Sequence, residues 1–140
     1  MVVVIDADNL IIGRLSTNVA KRLLREKDLE IAIVNAERAI ISGNKKSVIE
    51  SYKRRRVLNH ARKGPHYPRM PDRMLKRVIR GMLPYQQYKG RQALKRVKVY
   101  IGVPKDLKGH KAETIEAAKN VDLEQYVYLG EIAKVLGAPI

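Results

Sequence analysis

The sequence predicts an α/β fold, on three observations. A short β-branched run, Val2 to Ile5, is followed by an amphipathic helical pattern and then by a second apolar run, Ile31 to Val34. A third run, Val97 to Ile101, lies beyond further helical segments. The first two, continuous and apolar, read as strands buried on both faces, the kind that parallel sheets require, and Val97 to Ile101 alternates and reads as another strand. Strand–helix–strand order with short connections implies a right-handed parallel crossover.

The elements follow in order. Asp6 to Asn9 supplies turn residues after the first strand. In the helix that follows, Ile12, Leu15, Val19 and Leu23 share one face, and Arg14, Lys21, Arg22 and Arg25 lie off it. After the second strand, Ile40-Ile41 leads into Ser42-Gly43-Asn44, where Asn44 is placed to cap a helix running to about Leu58. That helix has a thin apolar stripe (Val48, Ile49, Tyr52) and ends in Lys53-Arg54-Arg55-Arg56. Residues 59–70 hold two prolines and one glycine (Gly64, Pro65 and Pro68) among cations, and read as an irregular loop. Pro71 and Asp72 suit the first turn of the next helix, about 72–83. There Met74, Leu75, Val78, Ile79, Met82 and Leu83 fill one half of the wheel, and Arg73, Lys76, Arg77 and Arg80 the other. Pro84 stops it, 85–89 is a polar loop, and Gly90 to Arg96 is a short basic helix before the third strand. A C-terminal helix is expected near Gly130 to Leu136, with Ile132, Val135 and Leu136 inward.

Charge is the outlier. The 140 residues hold 29 Lys and Arg against 14 Asp and Glu. Residues 1–44 are neutral, with 6 basic and 6 acidic residues, and 99–140 carry 5 and 6. Residues 45–98 carry 18 basic residues and only Glu50 and Asp72 as acids. A solubilising surface would be spread along the chain; a block of this kind predicts a polyanion partner, because each neutralised phosphate releases condensed counterions. An acidic membrane surface is disfavoured, since Trp and Phe, the usual interfacial anchors, are absent. The start of the chain shows no signal-peptide pattern, no stretch is long and apolar enough for a membrane span, and cysteine is absent, so a cytoplasmic protein is expected.

The enzyme readings are poor. Asp6 and Asp8 flank Ala7 at a strand end, where a metal or phosphoryl site can sit, but such pairs more often form turns and no third acid lies nearby. His60, His66 and His110 lack metal-ligand spacing. Ser42-Gly43-Asn44-Lys45 before a helix can cradle a phosphate on backbone N–H groups, without the full spacing of a nucleotide-binding loop. No cofactor motif or nucleophile–base pair emerges. Between nucleic acids, RNA is favoured: cations lie on loops and helix faces interleaved with Tyr52, Tyr67, Tyr85 and Tyr88, whose planes can stack on unpaired bases, and no DNA-binding motif is present. A free RNA-binding regulator would use the same surface.

Four segments carry a family resemblance: VVVIDADNLIIGRLSTNVAKRLL (2–24), VNAERAIISGN (34–44), YPRMPDRMLKRVIRGMLP (67–84) and GRQALKRVKVYIGVP (90–104). In this order and spacing they resemble the L-thirteen family of universal large-subunit ribosomal proteins, in its archaeal form. The resemblance spans residues 2–104, and 105–140 match more loosely. It implies a three-layer α/β/α fold around a mostly parallel four-stranded sheet, in a single domain of 140 residues. It also implies a structural role in the large ribosomal subunit, binding its ribosomal RNA beside neighbouring ribosomal proteins, without catalysis, cofactor, small-molecule substrate or membrane.

Within the matching segments, and at Lys89 immediately before the last of them, the expected RNA contacts are Arg69, Arg73, Lys76, Arg77, Arg80, Lys89, Arg91, Lys95 and Arg96. Charge and loop position add Lys45, Lys46, Lys53, Arg54, Arg55, Arg56, Arg62 and Lys63, and His60, His66, Tyr85 and Tyr88 are candidates for stacking or hydrogen bonding. Gly43 and Asn44 match the family's SGN turn and are expected at a phosphate. Gly81 and Pro84 are expected to shape the helix end, with Met82 and Leu83 in the core.

Overall fold

A computed structural model describes residues 2–58, 62, 67–120 and 123–139. The first strand, β1 (Val2–Asp6), runs parallel to β2 (Glu30–Val34), with Val3 opposite Ile31 and Ile5 opposite Ile33. Helix α1 (Ile12–Arg25) makes the crossover between them. On its other side β2 pairs, again in parallel, with β4 (Val97–Val99), Ile31 opposite Val97. The order β1-β2-β4 puts the second strand in the centre, where both faces of its Ile-Ala-Ile-Val run are buried.

This parallel sheet has three strands. The remaining two, β3 (Ile40–Ser42) and β5 (Tyr126–Tyr128), form a separate antiparallel pair, with Ile41 opposite Val127. The outer side of β1 carries one isolated parallel bridge, from Ile5 to Glu113. A sheet of four mostly parallel strands is therefore not what the described residues form. Strands of three residues offer too little alternation to be read from sequence, and β5 was not anticipated.

Period-2 alternation sorts the parallel sheet's side chains. Val3, Ile5, Ile31, Ile33 and Val97 join the main core with Leu15, Val19 and Leu23 of α1 and Met74, Leu75 and Ile79 of α3 (Pro71–Met82). Val4, Ala32 and Val34 face the other way, under Tyr100 and Leu107. Leu107 belongs to a one-turn 3-10 helix, Lys105–Leu107, so this face has a thin cover and no full helix layer among the described residues.

Local chemistry explains the helix ends. In α2 (Lys45–Val57) the Asn44 side chain accepts the Lys46 N–H, as a cap should. Pro71 opens α3 at a position whose N–H has no partner in any helix, and Asp72 sits in its first turn. Leu83 turns extended before Pro84, ending α3. Helix α4 (Tyr88–Lys95) begins two residues earlier than expected, taking Tyr88 and Lys89 out of the loop. A Cβ on Gly90 would lie 1.9 Å from the Pro84 carbonyl oxygen, so the absence of a side chain is what lets α4 pack on that turn. Gly81, by contrast, faces open space and is not needed sterically. Helix α5 (Leu129–Val135) closes the chain with Ile132 buried but Val135 45% exposed, against expectation, because its face looks away from the core. Met82 is likewise 40% exposed rather than core: as the last residue of α3 it lies at the rim, where its Sδ accepts the Thr17 hydroxyl at 3.3 Å.

Candidate nucleic-acid interface

Helix α2 contributes one buried side chain, Tyr52. Its other positions are mostly charged, and the exposed residues include Lys45, Lys46, Lys53, Arg54 and Arg55. The tyrosine is the hub of a cationic stack. Tyr52 and Tyr67 meet edge to face at 5.9 Å. Arg55 lies 4.7 Å over Tyr52 and 5.6 Å over Tyr67, and donates to the Tyr67 hydroxyl at 3.3 Å. Arg77 of α3 lies 4.9 Å over the same Tyr67 ring, and Arg56 donates to its backbone carbonyl. Cation–π contacts at partly exposed sites contribute about 0.5–1 kcal/mol each, so the stack joins the cationic end of α2 to the polar face of α3. Burial pushes the Tyr52 hydroxyl above the usual tyrosine range, Tyr67 adds to the rise, and Arg55 opposes it.

The polar face of α3 is as the wheel places it: Arg73 and Arg80 are exposed, and Lys76 and Arg77 half-buried. Arg80 lies 5.0 Å over Tyr85. Tyr88 is 71% exposed, and Lys89, Arg91 and Lys95 project from α4, Arg91 donating to the Gln86 carbonyl at 3.0 Å. Arg62 and Arg69 are exposed on the connection between α2 and α3. His60, Lys63 and His66 lie outside the described residues. Lys98, which the sequence reading passed over as a strand residue, is exposed and adjoins the α3 cations around a shallow cavity.

Two expected contacts are built differently. Arg96 points inward: its guanidinium donates to the carbonyls of Leu23 (2.7 Å), Glu26 (2.6 Å) and Leu29 (3.1 Å), so it closes the end of α1 and braces the turn into β2. The carbonyls at a helix C-terminus lack partners of their own and attract a cation, which accounts for the geometry. Nor is the turn at Gly43 and Asn44 an open phosphate cradle. The Gly43 N–H donates to the Gln125 carbonyl at 3.0 Å, because the β3–β5 pairing runs on through it, and the Asn44 side chain is committed to Lys46. Beside them Glu124 and Glu131 line the same surface hollow, and Lys45 pairs with Glu131 at 3.7 Å. Gly43 itself, at φ 126°, needs its missing side chain for the turn.

The carboxylates of the first turn are occupied structurally. Asp6 Oδ1 accepts the Asp8 N–H and the Asn35 side-chain amide, both at 3.0 Å. No group of three or more potential metal ligands occurs among the described residues. No helix among them is long and apolar enough to cross a membrane.

An α/β scaffold that spreads cations over three helices, several of them stacked on tyrosines, defines a polyanion-binding protein of the structural kind. Residues 1–106 match the family described as Ribosomal protein L13. Over 137 residues the chain is 47% identical to large ribosomal subunit protein uL13 of Methanosarcina barkeri, covering 96% of this chain and 97% of that one. It is 48% identical over 141 residues to uL13 of Methanocaldococcus jannaschii, with 96% and 97% covered, and 45% identical over 137 residues to that of Archaeoglobus fulgidus, with 96% and 86% covered. The chain belongs to the ribosomal protein L13 family, whose members are structural components and not enzymes. These alignments cover nearly all of this chain, whereas the family match ends at residue 106.

Proposed function

We propose that this protein is a single-domain structural constituent of the large ribosomal subunit, in the cytoplasm, that binds large-subunit ribosomal RNA and supports subunit assembly. One observation carries the reading. The block with 18 basic and 2 acidic residues folds onto an ordinary apolar core, with its cations turned outward along α2, α3 and α4. Cations held in this way neutralise phosphates where RNA helices converge, and tyrosines among them accept unstacked bases. The cations proposed to meet RNA are the exposed Lys46, Lys53, Arg54, Arg62, Arg69, Arg73, Arg80, Lys89, Arg91 and Lys95 and the half-buried Lys76, with Arg55 and Arg77 oriented by their tyrosines. We also place the sheet's fourth strand around Glu113, on the strength of its bridge to Ile5.

The test is sedimentation of cell extracts through high salt. The protein is expected to travel with large subunits after a wash that strips loosely bound factors. A mainly ribosome-free pool would instead favour a regulator that binds other transcripts.

A further inference from the structure

A cavity of about 260 Å³ lies between the start of α3 and the end of β4, lined by Asp72, Arg73, Lys76, Lys98, Val99 and Tyr100. This is below the roughly 300–1,000 Å³ of sites for drug-sized ligands, and suits one nucleotide rather than a larger group. Three cations from two elements converge on it, and none of the three has a hydrogen bond or ion pair among the described residues. The cavity's one carboxylate is unsatisfied as well: Asp72 Oδ1 is buried with no hydrogen-bond partner. Buried polar atoms nearly always find partners, so a donor entering the cavity satisfies this orphan once the Asp72 side chain turns toward the opening.

Tyr100 supplies the wall. Its ring rests on Val4, Ala32 and Val34, and its backbone is held on both sides, its N–H donating to Ile33 at 2.8 Å and its carbonyl accepting from Ala36 at 3.1 Å. The ring is thus a fixed platform just past the carboxyl end of an edge strand. A bare phosphate would satisfy the cations but would be repelled by Asp72. A nucleotide answers every group: phosphate oxygens for the cations, a face for the ring, and a 2′-hydroxyl or base amino group for the carboxylate.

We propose that this cavity captures a single unstacked nucleotide of the RNA, its phosphate held by Arg73, Lys76 and Lys98, its base against Tyr100, and a hydroxyl or amino donor on Asp72. The proposal rests on the ribosomal RNA reading above and assigns Lys98, Tyr100 and Asp72 to binding. It is tested with the full chain and deproteinised large-subunit RNA, by filter binding across salt and by base-specific chemical probing. The parent is expected to protect at least one base whose protection disappears in both Asp72→Ala and Tyr100→Leu while the rest of the footprint stays. Affinity should fall about tenfold in each, within the range of a lost stacked base. Tyr100→Phe should bind like the parent, and Lys98→Ala should reduce the salt slope by about one.

The sign for Asp72→Ala decides between ligands. Tighter binding, as expected when a negative charge leaves a bare phosphate site, would overturn the proposal, as would an unchanged footprint in Tyr100→Leu. If Tyr100→Leu does not fold, as judged by circular dichroism, the Asp72→Ala result carries the test. Failure of the parent itself to bind the RNA is a separate outcome, which removes the ribosomal RNA reading as well.

Discussion

Arg96 offers the sharpest division between folding and binding, because its residue type fits either role. Replacing it with alanine removes three charge-assisted hydrogen bonds at once. The Glu26 carbonyl is exposed and water takes over its bond, but the Leu23 and Leu29 bonds are partly buried. At about 1.5 kcal/mol for each bond that water does not replace, the loss is about 3 kcal/mol. With an unfolding entropy near 2.1 cal/mol/K per residue, a chain of this length should melt about 10 °C lower. Arg96→Lys keeps the charge but not the planar fork, and should recover about half of the loss. Thermal unfolding followed by circular dichroism measures both. The salt dependence of RNA binding by folded Arg96→Ala, measured below its melting temperature, should match the parent. A melting point within about 2 °C of the parent, together with a shallower salt slope, would refute the bracing role and return Arg96 to the RNA surface.

Other expectations follow from the same geometry. Arg54→Ala should lower the salt slope of RNA binding by up to about one unit with a folding stability within roughly half a kcal/mol of the parent. Arg55→Ala should also cost about 1 kcal/mol of stability, since that guanidinium sits over two rings; equal melting of the two variants would contradict the stack. Gly90→Ala forces a methyl into the Pro84 backbone and should destabilise by about 1–3 kcal/mol in urea titrations, with a neutral result showing that α4 does not dock there. Tyr52 has a folded-state pKa above its unfolded value, so the stability tied to its protonated form is present below pH about 10 and is lost as pH rises through the folded value. The Tyr52→Phe variant should therefore show a flatter alkaline limb of stability against pH; an identical limb would place the loss elsewhere.

The helical wheel of α3 and the crossover from β1 to β2 were legible because long, strongly periodic segments state their buried face directly. The strand at Tyr126–Tyr128 was not, since three residues in a polar stretch carry no period, and its partner at Ile40–Ser42 lies far away in sequence. Charge density located the cationic surface but could not sort its members. Arg54 and Arg96 are the same residue type in the same basic block, yet one is exposed and the other spans three carbonyls. What separates them is where the chain before α4 and after α1 comes together, a tertiary fact. The SGN turn illustrates the same point: its N–H groups were available by local pattern and are taken by Gln125, more than eighty residues away, and by Asn44 itself.

The arginine–tyrosine stack bears on the order of events in ribosome assembly. An arginine carries about 2 kcal/mol of rotamer entropy, which a free basic tail must surrender when it first meets RNA. Arg55 and Arg77 have already surrendered part of theirs to Tyr52 and Tyr67 during folding. On the RNA-binding reading proposed above, such a surface arrives as a template of fixed positive points to which the RNA conforms. A protein of this type is suited to early association, nucleating the shape of its RNA site rather than filling one that later steps leave behind.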